Sequence, residues 1–214
     1  MKLKTILIIS LLCFLPTLVG LGLWNQLPSE LPTHFDSSGV ADDYSSKAFV
    51  VFGLPFFMAL LNLFIHFIRK ADPKHVNHNP SFLALIHGLF PVLSILCVAI
   101  SILSGLNITF PVNLVIYIFV GLLISGIGFY LPKCEQNYVI GIKLPWTLNS
   151  VENWNYTHRL AGPIWVVGGV LLMVSGFFNS LFLCVIILVV MIGIPTFLSY
   201  QYYKKVEVHS DEDS

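Results

Sequence analysis

The sequence predicts an all-α, polytopic membrane protein with six transmembrane helices and both termini cytoplasmic. Three observations carry this. Hydrophobic residues make up 56% of the 214 and charged residues only 10%, where ordinary soluble domains carry about 25% charge. Six apolar runs follow one another along the chain, each near the roughly 20 residues a membrane helix needs. The basic residues fall almost wholly into loops of one parity. Because the runs take up more than half the chain, residues 1–206 are expected to form a single membrane domain. The segment 207–214 is expected to be an acidic, disordered tail.

The first run, Thr5 to Trp24, follows Lys2 and Lys4 and so has the outline of a secretory leader. It is too long for a leader core and lacks a small-x-small cleavage site. It also ends on Trp24, an interfacial residue, so an uncleaved helix is expected. The other five runs are Ala48–Ile68, Phe82–Leu103, Val112–Leu131, Gly162–Phe178 and Leu181–Tyr203. All are continuous, not alternating, which argues against the strands of a membrane barrel. Pro16, Pro55, Pro91 and Pro195 lie inside runs. They are expected to kink helices, with neighbouring helices satisfying the freed carbonyls. Gly121 and Ser125 form a small-xxx-small pair, joined by Gly126, Gly128, Gly168 and Gly169, and predict close helix packing within the chain.

Away from their ends the runs hold no Asp, Glu, Lys or Arg, although Asn62, His66 and His87 lie in the second and third. Proton-driven transporters and pumps keep charged relays in the bilayer, so their absence argues against that class. Cys13, Cys97 and Cys184 fall in runs and Cys134 in a loop, and all four read as structural thiols. His66, His75, His78, His87 and His158 gather toward one side of the membrane without a recognised ligand spacing. No metal and no cofactor are expected.

Orientation follows from the loops. Lys2, Lys4, Arg69, Lys70, Lys74, Lys133, Lys143, Arg159, Lys204 and Lys205 all fall on one side, leaving only Lys47 of the eleven basic residues opposite. The first set is therefore cytoplasmic. The loop 25–47 then faces outward and carries Glu30, Asp36, Asp42 and Asp43. Its two Leu-Pro steps hold the chain extended, and Ser37-Ser38-Gly39 signals a turn. Asp42 and Lys47 are placed to pair, and His34-Phe35 forms an aromatic pair beside the membrane.

The cytoplasmic loop 132–161 is denser. Leu144-Pro145-Trp146-Thr147 reads as a turn, and Thr147 or Asn149 is positioned to cap a short helix from Ser150 to Trp154. Trp146 and Trp154 are expected at the headgroup level. Arg159 is expected to meet lipid phosphate or to pair with Glu135 or Glu152. Thr157 and His158 lack the third group that nucleophilic catalysis needs, so an enzyme is not expected.

Two segments carry a family resemblance. LPSELPTHFDSSGVADDYSSK is similar to a LPxxxPxHFxxxGxxDxYxSK pattern through Leu27, Pro28, Pro32, His34, Phe35, Gly39, Asp42, Tyr44, Ser46 and Lys47. NYVIGIKLPWTLNSVENWNYTHRLAG is similar to NxxIGIRxPWTLxSxxxWxxTHRxxG through Asn137, Ile140, Gly141, Ile142, Pro145, Trp146, Thr147, Leu148, Trp154, Thr157, His158, Arg159 and Gly162. Lys143 stands where that pattern has Arg. Both patterns are those of the SdpI family of bacterial membrane proteins, which the whole chain resembles.

The resemblance implies an immunity and signalling protein of the bacterial cell membrane. Such a protein gives resistance to a secreted peptide toxin and holds a winged-helix autorepressor at the membrane, without contacting nucleic acid itself. On that reading His34, Phe35, Asp42 and Lys47 meet the toxin outside. Asn137, Gly141, Pro145, Trp146, Thr147, Trp154, Thr157, His158 and Arg159 carry the response inside or hold the inner face together. Membrane lipid is the remaining partner. The rival reading is an envelope transporter or permease-like protein, and an intramembrane enzyme stands behind it.

Overall fold

In a computed structural model the fold is described for residues 1–74 and 79–212, the last six by their backbone alone. His75 and His78 lie outside the described residues. Six helical segments are long and apolar enough to cross a membrane: Leu3–Gly22, Phe49–Ala71, Pro80–Gly105, Val112–Lys133, Val151–Phe178 and Leu181–Val206. The all-α, six-span expectation holds. The chain divides into two compact units, one of Met1–Lys70 with Leu83–Asn113 and the other of Ala71–Phe82 with Leu114–Ser214.

In the first unit, α1 (Leu3–Leu12) and α2 (Leu15–Gly22) form one interrupted span. Pro16 has no N–H, and next to it the Thr17 N–H shifts to the Phe14 carbonyl. The Cys13 carbonyl is taken instead by the Ser94 hydroxyl, 2.7 Å away. The second span opens with a π-helical turn, Phe49–Gly53, and continues as α3 (Leu54–Ala71). Pro55 offers no N–H to the Val51 carbonyl four residues back, and the Thr17 hydroxyl donates to it at 2.7 Å. Each break is thus closed by a hydroxyl from a neighbouring helix, as hydrocarbon demands. The third span is α4 (Pro80–Gly105).

Between the first two spans the segment expected to be extended is a two-stranded antiparallel hairpin of β1 (Glu30–Phe35) and β2 (Ala41–Ser46). The Asp36 carboxylate accepts the Ser38 and Val40 N–H groups and closes the tip, where Gly39 sits at φ 82°. Leu31 anchors the hairpin in a buried cluster with Leu27, Val50, Val51, Val98 and Ile102. A Cβ on Gly105 would collide with Leu31, so α4 approaches the hairpin only because that position is glycine.

The second unit holds α5 (Val112–Tyr130), a 3-10 turn Leu131–Lys133, the short α6 (Pro145–Asn149), α7 (Val151–Ser175) and α8 (Leu181–Glu212). The predicted small-residue packing is intramolecular. A Cβ on Gly121 would meet the Gly169 carbonyl, one on Gly169 the Ser125 hydroxyl, and one on Gly128 the Gly162 carbonyl. α5 and α7 therefore pack backbone to backbone. Pro195 frees the Met191 carbonyl in α8, which takes the Trp165 indole N–H at 3.2 Å. α8 stays helical to Glu212, inside the segment expected to be a disordered tail. Neither Gly nor Pro follows Pro195 to stop it.

Candidate functional site

The segment expected as the loop 132–161 is half helix. α7 begins at Val151, and its cap is Ser150, whose hydroxyl accepts the Asn153 N–H at 3.1 Å, rather than Thr147 or Asn149. The expected Ser150–Trp154 helix is the first turn of this long span. Ahead of it lies α6, which starts on Pro145, where a missing N–H costs nothing.

Within this segment most of the candidate residues are buried in a hydrogen-bonded knot. Asn137 is fully buried. Its carbonyl oxygen accepts the Val139 and Ile140 N–H groups at 3.0 and 2.6 Å, and its amide donates to the Glu135 carbonyl at 2.9 Å. The Thr147 hydroxyl accepts the Leu144 N–H at 2.9 Å and turns its own proton toward the Ile142 or Leu144 carbonyl. Trp154 is fully buried within the protein, and its indole N–H has a buried partner, the Cys134 carbonyl at 2.6 Å. Burial pushes the neighbouring Cys134 thiol up to about 11, so it stays protonated and unreactive.

His158 stacks on Trp154 with ring centroids 4.1 Å apart. Its Nε2 accepts the Ile142 N–H at 2.9 Å, so the ring proton sits on Nδ1 and is donated to the Trp154 carbonyl at 2.8 Å. Both nitrogens are spent on backbone, which leaves neither for a metal or a nucleophile. Gly141 makes this contact. At φ 120° it lies in the left-handed half of backbone space, and a Cβ there would come within 2.6 Å of His158 Nε2.

Thr157 joins a second cluster, which couples α6 and α7 to α8. Its hydroxyl reaches Ser199 Oγ at 2.6 Å, as does the Trp146 indole N–H at 2.9 Å. Ser199 in turn donates to Asn153 Oδ1 at 2.8 Å. Trp146 is therefore half-buried against Tyr200 and Tyr203. Sequence reasoning missed Asn153, Ser199, Gln136 and Asp72. Gln136 donates to the Thr147 and Leu148 carbonyls, and Asp72 accepts the Tyr138 N–H. Of these only Ser199, a hydroxyl in an apolar run, carried a signal; Asn153, Gln136 and Asp72 stand among other polar residues.

Arg159 and Pro145 are the exposed members of the set. Among the described residues Arg159 makes no ion pair with Glu135 or Glu152. It opens instead onto a cleft of about 570 Å³ with Glu152, Asn155, Tyr156 and Tyr202.

In the first unit His34 pairs with Asp42, Nδ1 to Oδ1 at 2.5 Å, not with Phe35. The register places His34 against Asp43 across the two strands, with bulges on both sides that swing Asp42 toward the ring. That carboxylate raises the His34 imidazole above its ordinary value, helped by Asp43 and Asp36. Lys47 does not pair with Asp42 as expected. Its ammonium donates to the Trp24 and Leu27 carbonyls at 2.9 and 3.3 Å and lies over the Trp24 ring. Both carbonyls lie in the turns that follow α2, outside any helical ladder, so a cation there is well placed. Phe35 lines a groove of about 710 Å³ with Pro28, Glu30, Pro32, Tyr44 and the α4–α5 link.

These features define an integral membrane protein whose two polar segments are folded structures, not loops. Residues 133–200 match the model of the SdpI/YfhL protein family, and residues 11–59 that of a domain of unknown function called DUF1648. The chain is 28% identical to the immunity protein SdpI of Bacillus subtilis (strain 168) over 205 residues, covering 94% of this chain and 97% of that protein. No solved structure matches. Along nearly its whole length the chain is thus similar to an SdpI immunity protein, and it is a multi-pass protein of the bacterial cell membrane.

Proposed function

We propose that this protein confers immunity to a secreted peptide toxin by binding, without enzymatic turnover. The observation that carries the reading is similarity to an immunity protein along 94% of the chain, with both signature segments inside the matched length. Both termini are cytoplasmic on this reading, and the hairpin is the first surface a toxin meets. The groove beside Phe35 is open and mostly apolar, and the same hairpin carries the exposed His34–Asp42 pair. Lys47 contributes by fixing the hairpin base.

The second half of the proposal is that the inner face holds a winged-helix repressor when toxin is bound. Asn137, Gly141, Thr147, Trp154, Thr157 and His158 keep that face rigid, while Arg159 and its cleft are accessible to a partner. Expression in a toxin-sensitive strain tests the first half: survival should rise, and unchanged killing would refute immunity to that toxin. Phe35→Ala should remove protection. Arg159→Ala should leave protection intact and abolish induction of a repressor-controlled reporter.

A further inference from the structure

The first unit also holds a polar cluster within its membrane spans that the immunity reading does not use. One buried stripe of α3 carries Asn62, His66 and Arg69, spaced four and three residues apart. Against it stand Ser10 of α1 and His87 of α4. The Asn62 amide donates to Ser10 Oγ at 2.9 Å, so its carbonyl oxygen is what faces His87 Nδ1 at 2.6 Å. A carbonyl cannot donate, so the His87 proton sits on Nδ1 and a lone pair is left on Nε2. Among the described residues that atom has no partner. Neither has either nitrogen of His66, nor Arg69 Nε. Both imidazoles are fully buried, their centroids 6.0 Å apart, and Arg69 is 6% exposed. An unsatisfied buried polar atom costs about 1–3 kcal/mol. Four such atoms on three residues, two of them rings 6.0 Å apart, call for an occupant.

Charge selects the ligand. The ionic groups acting on the imidazoles are Arg69, Lys70 and the N-terminal amine, all cationic. The carboxylates of this unit, Glu30, Asp36, Asp42 and Asp43, all belong to the hairpin, and Asp72, the residue after α3, is taken up by the Lys74 and Tyr138 N–H groups. A metal cation would face a guanidinium, and among the described residues no three His, Cys, Asp or Glu converge. An oxyanion accepts from Arg69 Nε–H, from the protonated nitrogen of His66, and from His87 Nε2 once that atom gains a proton. We propose that His66, His87 and Arg69 form a buried oxyanion site for a phosphate group, either of an anionic phospholipid or free in solution, taken up together with a proton. Binding then strengthens as pH falls through the imidazole range and weakens above it.

The test uses the full chain in a neutral detergent, titrated separately with inorganic phosphate and with phosphatidylglycerol, phosphatidylcholine being the control. The readouts are ¹⁵N resonances of the histidine rings and thermal stability. The site predicts shifts at His66 and His87, and binding about tenfold or more tighter near pH 6 than near pH 8. Arg69→Gln should lose about tenfold in affinity and keep its fold, since it removes a buried cation. A response to phosphatidylglycerol alone assigns the site to a lipid headgroup, and one to inorganic phosphate assigns it to a free oxyanion. Unshifted His66 and His87 resonances with both probes would overturn the proposal and leave water as the occupant. So would binding that ignores pH. Both of those readings need only the wild-type chain, so they decide the matter even if Arg69→Gln misfolds.

Discussion

Gly141 and His158 depend on each other. The backbone at φ 120° brings the Ile142 N–H onto the imidazole, and the imidazole fills the space a Cβ would need. Gly141→Ala should cost about 1–3 kcal/mol from the backbone strain alone, read as a lower unfolding temperature in detergent. His158→Ala should cost a comparable amount, because the buried Ile142 N–H loses its acceptor. A double variant losing much less than the sum would confirm that one contact is being removed twice. His34 gives a different residue-scale prediction. Its imidazole is raised by Asp42, so the charged pair is present at low pH and disappears as pH rises through the raised value. A ring titration by NMR should find the His34 midpoint above the ordinary 6.5. Asp42→Asn should bring it down.

Prolines free carbonyls inside the spans, and at Pro55 and Pro195 the repair comes from another helix. Thr17 closes the Val51 carbonyl beside Pro55, and Trp165 closes the Met191 carbonyl beside Pro195. Thr17→Val should therefore destabilise by about 0.6–2 kcal/mol, the range of interhelical hydrogen bonds in membranes. In a Pro55→Ala background the cost should shrink, since an alanine at that position restores an N–H for the Val51 carbonyl. Thermal unfolding of the four-member cycle measures this. The prolines were legible in the sequence, but their partners were not, because Thr17 and Val51 lie 34 positions apart. The glycine seam was legible for the same local reason, and Gly169→Leu should prevent assembly of α5 on α7. The hairpin was only half legible. Its turn and its extended Leu-Pro steps stood out, but strand pairing with two bulges depends on Leu31 finding the cluster around Val50. Arg69 looked like a loop cation and is a buried member of α3, because charge counting sees only the end of an apolar run.

For the whole molecule, six spans followed from apolarity alone, which is why the fold class was the firmest reading. Site roles were harder to read. A motif dense in Trp, His and Thr looks like a reactive surface, yet here those side chains mostly bond to backbone within the second unit. The two family matches, residues 11–59 and 133–200, fall one in each unit. The orientation argued from basic residues makes a direct prediction. With the four native thiols replaced, Ser37→Cys should react with a membrane-impermeant maleimide in intact cells, and Asn155→Cys should react only after the membrane is opened. The reverse pattern would invert the topology.

Lys47 is held by the Trp24 and Leu27 carbonyls and the Trp24 ring, at the base of the hairpin. Glu30, Asp36 and Asp43 are thus left as a field reaching into solvent above the groove. If the proposed toxin is a cationic peptide, its arrival at that face is a rate problem. Encounter should be accelerated at low ionic strength and slow as the Debye length contracts from about 30 Å at 0.01 M to about 8 Å at 0.15 M. Lys47→Gln should make that field more negative while loosening the base of the hairpin, which a lower unfolding temperature would show.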